Sequence, residues 1–368
     1  GDRMSFAEES RTPVLAAALF TLVAAILLAP VGLMIADATA DAQAMAVTAV
    51  SPDIASDQVA ATAAEFRVDE SGAATYSIPL YTVPGTAGVA PKLSLNYSSQ
   101  GGTGPLGKGW SIGGLSSIAR CRSTREAGDF ISGGVPVDGA APPINFTATD
   151  RFCLDGQRML AVAGTGAECK AVAGMSVVNY RTELESFQRV CGYTPTSGTE
   201  GPAFFTVERK DGSISWYGDR DTSDGSANRL DGYVNSTAGG YTAVAVAWAQ
   251  TRLQDSTGNY MDYLYWNIQP NGDTREHLLK EVRFTGKTVL PGQTGAAMLP
   301  YARIVFTYSA RPAAEWSYAY QSGGRVVQSR RLDSILSLGA SEVHARYYQL
   351  GYGISASNSG QETLTSVQ

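Results

Sequence analysis

Histidine is nearly absent from this sequence, which has two in 368 residues, His277 and His344. They lie far from each other and from the cysteines, so we expect no metal site built from Cys and His ligands. No G-x-S-x-G motif accompanies them, and a histidine in an alternating strand is usually packed or solvated. A zinc centre and a serine hydrolase are therefore both disfavoured.

A run of basic residues is also missing. The chain has 28 Lys and Arg against 34 Asp and Glu, for a formal net charge of −6. Proteins that bind nucleic acids normally carry a basic patch, because Lys and Arg neutralise the phosphates. We therefore expect no nucleic-acid partner.

Long apolar runs and amphipathic helix patterns are missing after residue 50. Before it, residues 14–35 carry no charge and are followed by small-residue triplets such as Ala40-Asp41-Ala42. This pattern is typical of a secretory signal peptide. The same run is long enough to cross a bilayer, so an uncleaved membrane anchor is the alternative. Both predict an exported chain, secreted or held to the membrane only by its N-terminal segment.

Glycine and tyrosine, by contrast, are abundant, with 40 and 18 residues respectively. This composition favours a turn-rich β protein. Apolar and polar residues alternate in residues 75–81 (TYSIPLY) and 92–98 (KLSLNYS), as they do in half-buried strands. We predict an all-β fold of many short antiparallel strands and hairpins, in which the strand at 302–308 would expose an edge when isolated.

Two Asp-Gly pairs predict particular hairpins. Asp155-Gly156 and Asp211-Gly212 each separate two short apolar runs. Asp-Gly suits a type I′ turn, because both central residues then have positive φ.

The pattern divides the chain into three parts. Residues 1–44 form the signal peptide or anchor, 45–63 a linker without periodicity, and 64–368 a β-rich domain. The domain stops in the middle of an alternating pattern, so we interpret it as a fragment that is truncated at its C-terminus.

Four cysteines lie in the β-rich part, at Cys121, Cys153, Cys169 and Cys191. In an exported protein they are possible disulfide partners. The spacing allows three complete pairings and does not choose among them, and free buried thiols are the alternative.

The segment GGTGPLGKGW, residues 101–110, matches the spacing of two nucleotide-binding motifs. Both motifs require a following helix, and the P-loop requires Ser or Thr after the lysine, whereas Gly109 follows Lys108. We therefore expect no nucleotide and no other cofactor here. The prediction is a tight turn under a packed indole, with structural roles for Gly102, Gly104, Gly107, Gly109 and Trp110.

Acidic residues form two further candidate sites. Asp219, Asp221 and Asp224 lie in a loop, but their spacing misses that of a calcium-binding loop, so a solvated turn is favoured. Glu183 and Glu185 form an E-x-E of the kind that ADP-ribosyltransferases use. The alternation there predicts instead a strand with outward acids and an inward Leu184.

Aromatic residues in 261–267 (MDYLYWN) and 315–321 (EWSYAYQ) allow another interpretation. They could form the binding face of a secreted or surface adhesion module for carbohydrate or protein. Tyrosine alternation is more typical of packing within a sheet.

Several blocks of the sequence resemble the N-terminal domain of SpvB-type virulence proteins. That domain is shared with the TcdB-like component of insecticidal toxin complexes and with Rhs/YD-repeat proteins, and the turn at 255–260 resembles that of a YD repeat. The blocks are residues 76–121 (whose Gly-Trp part is the most specific), 150–160, 180–187 and 252–266.

The resemblance implies a non-catalytic, β-rich part of a large secreted shell, with any toxin activity in a separate C-terminal region. It implies no catalytic residues for this domain. Its partners would be downstream shell, YD-repeat and toxin regions of the same polypeptide, or other toxin-complex components. An ADP-ribosyltransferase-like enzyme, acting through the E-x-E, is the third hypothesis after the scaffold and the adhesion module.

Overall fold

The computed structural model describes residues 64–123, 131–132, 135–136, 144, 146, 150–162, 168–196, 201–218, 229–235, 241–271, 274–321, 324–354 and 361–368. All of them lie in one compact unit, Val59–Gln368. The predicted signal or anchor (1–44) and linker (45–63) lie outside these residues, as do Asp219, Asp221 and Asp224. No helix in the described ranges is long and apolar enough to cross a membrane.

The described chain is almost entirely β-structure, as predicted. Short 3-10 turns lie at Ala313–Glu315 and Ala340–Glu342. The strands are β1 Glu65–Val68, β2 Ala74–Pro79, β3 Ser94–Ser98, β4 Thr103–Gly104, β5 Gly107–Lys108, β6 Trp110–Gly113, β7 Ser117–Cys121, β8 Ile131–Ser132, β9 Val135–Pro136, β10 Arg151–Leu154, β11 Gln157–Ala161, β12 Met175–Thr182, β13 Arg189–Pro195, β14 Phe204–Glu208, β15 Ile214–Gly218, β16 Arg229–Asn235, β17 Tyr241–Gln254, β18 Asn259–Asn271, β19 Thr274–Lys287, β20 Ala302–Ala310, β21 Ser317–Gln321, β22 Gly324–Gln328, β23 Arg330–Leu338, β24 His344–Ile354 and β25 Glu362–Val367.

A small antiparallel sheet contains β1, β2, β3 and β6, in that order. The alternation in the sequence is realised there, because Ile78 on β2 and Leu95 on β3 lie opposite each other and are both buried. Polar Ser77 and Asn96 take the other face, where the serine hydroxyl donates a hydrogen bond to the amide oxygen over 2.8 Å. The sheet therefore presents one apolar face, as period-2 patterning requires.

Most of the other strands belong to a second, closed sheet with branch points. Its strands pair mainly with their neighbours in sequence, as antiparallel hairpins. The predicted edge at 302–308 is wrong within this chain, because β20 pairs with β19 on one side and β23 on the other. The pairing with β19 covers residues 302–305, and the pairing with β23 covers residues 303–310.

The long strand β17 connects two regions of the closed sheet. Its first part pairs with β16 and β7, where Trp248 lies opposite Ile118. Its last residues pair with β15 and β18, where Leu253 lies opposite Met261. The two regions therefore share one continuous strand.

The two Asp-Gly turns have different conformations. Asp155 and Gly156 have φ values of 48° and 84°, so the predicted type I′ hairpin between β10 and β11 is confirmed. At the second pair only Gly212 has a positive φ, of 78°, so the type I′ assignment is wrong. There the hairpin closes through Arg209, whose N–H reaches the Ser213 carbonyl over 2.9 Å. Because this loop is longer than two residues, Asp211 does not need a positive φ.

Two hydrophobic cores fill the closed sheet. The main core lies between the small sheet and strands β18–β20 and β23–β25, and the aromatic core lies between β7, β10–β15 and the first part of β17. The largest fully buried side chains of the main core are Leu95, Leu106, Phe284, Ile304, Leu332 and Ile335, and those of the aromatic core are Ile118, Phe152, Met159, Phe205, Tyr217 and Trp248.

Candidate functional site

The glycine-rich segment forms the β4–β5 hairpin and leads directly into β6. A strand therefore follows the glycines, whereas both phosphate-binding motifs require a helix N-terminus. Lys108 lies on β5, and its carbonyl accepts a hydrogen bond from the Thr363 hydroxyl over 3.2 Å. The lysine backbone thus connects the hairpin to β25.

The four glycines predicted to be structural divide into two pairs. Gly107 and Gly109 both have φ of 81°, and a Cβ would lie 2.6 Å from the Glu362 carbonyl oxygen at the first and 2.5 Å from the Tyr97 ring at the second. Gly102 and Gly104 lie outside the left-handed region, and a Cβ on Gly102 would meet nothing within 4 Å. Only the first pair needs glycine for backbone conformation and close approach.

Trp110 packs between two tyrosines of the small sheet. Its ring centroid lies 6.2 Å from that of Tyr76, edge to face, and 5.4 Å from that of Tyr97. Gly109 has no side chain and therefore lets the Tyr97 ring approach the chain beside the indole. The segment orders an aromatic cluster at the edge of the main core.

Each cysteine forms a disulfide with the next or preceding cysteine along the chain. The pairs are Cys121–Cys153 and Cys169–Cys191, with Cα–Cα separations of 5.8 and 5.9 Å. The first disulfide joins β7 to β10. The second ties the segment before β12 to β13, beside the stacked rings of a small third cluster. Both disulfides lie on the side of the molecule that contains the aromatic core.

The E-x-E lies in an exposed turn and not in a strand. Strand β12 ends at Thr182, and Glu183, Leu184 and Glu185 are all exposed. The prediction of an inward Leu184 is wrong, because 69% of this residue is exposed. The Glu185 carboxylate accepts the Phe187 N–H over 2.6 Å and so closes the turn. The sequence analysis extended the alternating pattern past Thr182, where strand β12 ends, and therefore assigned Leu184 to the wrong environment.

The two histidines occupy separate places. His277 stacks on Tyr265 with ring centroids 4.6 Å apart, and His344 is exposed at the start of β24. Within the described ranges, no group of three or more His, Cys, Asp or Glu side chains is arranged to hold a metal ion.

The tyrosine-rich strands present different faces. Tyr263 and Tyr265 are buried, and burial raises the pKa of Tyr263 to about 12. Trp266 is 38% exposed and lies under the Lys280 ammonium at 4.1 Å. Tyr320, on β21, is 73% exposed. Most of the first aromatic block therefore serves packing, and the second contributes exposed rings.

A buried ion pair lies beside the aromatic core. The Arg120 guanidinium donates to the Asp150 carboxylate over 2.8 Å, and both side chains are almost completely buried. It also donates to the Ala245 carbonyl and lies over the rings of Phe152 and Trp248. A charge satisfied in this way is structural, because the pair and the carbonyl compensate its desolvation. The sequence offered only a weak signal for this buried pair, namely a single arginine between apolar residues of a strand.

Glu276 is a second buried acid. Its carboxylate accepts hydrogen bonds from the Ser329 hydroxyl, from the Ser329 N–H over 3.0 Å and from the Arg330 N–H over 3.1 Å. Burial raises its pKa, although these hydrogen bonds oppose the shift. The acid binds the backbone where β22 passes into β23, so its acceptor capacity is used in the fold.

A side-chain-capped turn joins β17 to β18. The Asp255 Oδ1 atom accepts hydrogen bonds from the backbone N–H groups of Thr257 and Asn259, each over 2.8 Å. Gly258 completes the turn with φ of 96°. Burial acts to raise the Asp255 pKa, but the hydrogen bonds from Asn259 and Thr257 outweigh it and the pKa is lowered.

The same turn recurs between β1 and β2. Asp69 Oδ1 accepts from the N–H groups of Ser71 and Ala73, each over 2.9 Å, and Gly72 has φ of 80°. The hydrogen bond from the Ser71 hydroxyl lowers the Asp69 pKa. The two turns share aspartate, a hydroxyl residue two positions later and glycine three positions later, and the Ser71 and Thr257 hydroxyls both donate to their aspartates. This short signal was not singled out at residues 69–72 by the sequence analysis.

A groove of about 240 Å³ runs between the small sheet and β25. Tyr76, Ile78 and Trp110 line it on the small sheet, and Leu364 and Val367 line it on β25. None of the residues that line it in the described part of the chain is charged. Thr365 and Ser366 also line it, so the groove offers apolar contact together with two hydroxyl groups.

Solved structures of other proteins share this fold. The fold resembles that of a TcdB2-TccC3 crystal structure, with a TM-score of 0.61 and 19% identity over 84% of this chain and 16% of that chain. It also resembles the N-terminal domain of the effector protein SpvB from Salmonella typhimurium, with a TM-score of 0.54 and 20% identity over 79% of this chain and 98% of that chain.

Sequence relatives lead to the same family. The chain is 28% identical over 265 residues to the mono(ADP-ribosyl)transferase SpvB of Salmonella choleraesuis and equally to that of Salmonella typhimurium. The match covers 67% of this chain and 39% of each relative's length. The model of the SpvB family, Salmonella virulence plasmid 65kDa B protein, matches residues 68–288. This span is more than half of the 368 residues, so the chain belongs to the SpvB family.

Proposed function

We propose that this chain is a non-catalytic wall segment of an exported, toxin-complex-like virulence protein. The observation that carries the proposal is the closed antiparallel sheet, which resembles TcdB2-TccC3 over 84% of this chain. Such a sheet pairs most of its own backbone groups and supplies a rigid surface rather than a catalytic cleft. Toxin chemistry would then belong to other parts of the full-length protein.

The placement of the acidic residues supports a structural role. Glu276 caps the backbone between β22 and β23, and Asp150 pairs with Arg120. Glu183 and Glu185 lie in an exposed turn that is closed by the Glu185 carboxylate. A transferase that uses an E-x-E needs those carboxylates beside a bound nucleotide, in a site shielded from water.

An activity assay tests the catalytic alternative directly. Purified protein is incubated with NAD and with target-cell extract, and NAD cleavage and transfer of labelled ADP-ribose are measured beside a Glu185→Ala variant. We expect no turnover above the buffer control in either sample. Turnover that disappears in the variant would establish an enzyme and refute the wall segment.

Expression inside target cells is the second test. Production of residues 45–368 in the cytosol should leave growth unchanged, because a wall segment has no toxic chemistry. Cell killing that Glu185→Ala abolishes would contradict the proposal. Binding on a glycan array that Tyr320→Ala removes would favour the adhesion module instead.

Export is part of the same proposal. Two disulfides that bridge separate segments suit an oxidising compartment, and the uncharged run at 14–35 suits a secretory signal. Mass spectrometry of the exported protein should find an N-terminus between residues 37 and 47. Intact protein with residues 1–36 in the membrane fraction would establish the anchor. Peptide mapping without reductant checks the two disulfides, Cys121–Cys153 and Cys169–Cys191.

A further inference from the structure

The groove between the small sheet and β25 has walls that are held by the main core. Tyr76, Ile78 and Trp110 on one side, and Leu364 and Val367 on the other, all pack in or against that core. A groove lined in this way is preformed, because its side chains are fixed by packing beneath it.

The groove runs along the last four residues of β25. Four consecutive residues, from Leu364 to Val367, line it. β25 has a bulge there, because Leu364 pairs with Tyr352 and Ser366 with Gly351, so Thr365 has no paired residue on β24. The bulge interrupts strict alternation, and Leu364 and Val367 both contact the main core while Thr365 and Ser366 line the groove between them.

Among the described residues, no strand pairs with β25 along part of its edge. Gln368 and Gln349 exchange both of their backbone hydrogen bonds, over 2.8 and 3.0 Å, on the β24 side. Because backbone groups alternate along an antiparallel strand, the N–H and C=O of Val367 point away from β24. On that side, within the described ranges, β5 pairs with β25 at Thr363 alone.

We propose that this groove binds an extended peptide segment of a partner protein, which adds as a strand beside β25. The free edge supplies main-chain hydrogen bonds, and the walls accept side chains from alternate positions of the added strand. Since the groove carries no charge, the segment is uncharged on its inward face, where a charged side chain would lose its hydration without a partner. Branched aliphatic residues at alternate positions fit both requirements.

A phage-displayed library of linear octapeptides tests the proposal on the full 368-residue chain. Selected peptides should alternate apolar with polar residues and lack charge at the apolar positions. A selected peptide should lose at least tenfold in affinity when its alternate amides are N-methylated, because methylation removes the donors of a β-ladder. Fluorescence anisotropy measures both affinities.

Two variants locate the binding. Ala64 is exposed and lines the groove, so Ala64→Trp fills it and should weaken the peptide at least tenfold. Val68→Trp adds the same bulk at an exposed position on β1 outside the groove, and should leave the affinity unchanged. Circular dichroism and the urea midpoint confirm that both variants fold.

Several outcomes would overturn the proposal. These are selection of no peptide, equal binding by N-methylated peptide, and equal binding by the Ala64→Trp variant. Binding that appears only after residues 1–63 are removed would assign the groove to the protein's own N-terminal segment. A dimer that Ala64→Trp dissociates in sedimentation would assign it to a second copy.

Discussion

The two cores of this protein are stabilised by different means. In the aromatic core, the ring of Trp248 meets those of Phe152 and Phe205 edge to face at 5.5 and 5.2 Å, and both disulfides lie on this side. The main core is larger, and its tyrosine hydroxyls donate to backbone carbonyls, as Tyr265 does to Gln250 over 2.7 Å. The strands around the aromatic core are mostly shorter and gain stability from ring contacts and crosslinks, whereas the longer strands of the main core gain it from buried area.

Among the predicted changes, removal of the Trp248 indole from the aromatic core should reduce stability the most. Trp248 is completely buried, and its Nε1–H donates to the Pro202 carbonyl over 2.9 Å. Trp248→Ala should lower the free energy of unfolding by about 3–5 kcal/mol, because it opens a cavity and leaves that carbonyl without its partner. Urea unfolding measures the loss.

The matched control is Trp266→Ala, because Trp266 is 38% exposed. Its loss should stay below about 1 kcal/mol, as for other surface substitutions. Equal decreases in the free energy of unfolding would show that the buried rings of the aromatic core stabilise the protein no more than an exposed ring does.

Removal of the first disulfide should weaken the aromatic core selectively. Cys121 and Cys153 are 32 residues apart in sequence. The double variant Cys121→Ala/Cys153→Ala should lower the free energy of unfolding by about 3 kcal/mol, because the unfolded chain gains conformational entropy without the crosslink. Hydrogen exchange should become faster in β7 and β10 before it does in β23. Uniform acceleration would mean that the two cores unfold as one unit.

The glycine-rich segment tests the junction between the small sheet and the main core. Gly109→Val should cost about 1–3 kcal/mol, because it needs a left-handed backbone and meets the Tyr97 ring. Gly102→Val has neither constraint and should cost less than about 1 kcal/mol. Thermal unfolding compares them, and a costly Gly102 variant would contradict the division of the glycines.

The capped turns should contribute the smallest effect, and one that depends on pH. The pKa values of Asp69 and Asp255 are lower in the folded protein than the ordinary 3.8. Their stabilisation is therefore complete above about pH 4 and is lost as the pH falls through the folded pKa. Asp255→Asn should lower stability at pH 7 by less than about 1 kcal/mol in this partly buried turn, and by less still at pH 2.

Urea unfolding at several pH values measures this difference. Glu183→Gln, in the exposed turn after β12, is the control and should leave the stability curve unchanged. A pH-independent loss in Asp255→Asn would mean that the carboxylate charge does not stabilise the turn.

Local sequence patterns predicted the strands and one hairpin because their causes are local. Ile78 and Leu95 alternate with polar residues and are buried, and Asp155-Gly156 takes the two positive φ values that favour such a pair. Asp211 shows where this reasoning ends, because the closing hydrogen bond of its hairpin lies at Arg209 and lengthens the loop. Leu184 shows the same for faces, since the strand ended two residues earlier.

The sequence by itself determined the β class of this protein, its alternating strands and the glycine-rich turn, because side-chain alternation and the left-handed backbone act over a few residues. Only the tertiary structure decided which cysteines pair, that β20 is not an edge, and that Arg120 and Glu276 are buried among their partners. Each of these depends on contacts between residues far apart in the chain. Such contacts form only when the sheet closes and brings distant strands together, and short-range periodicity carries no information about them.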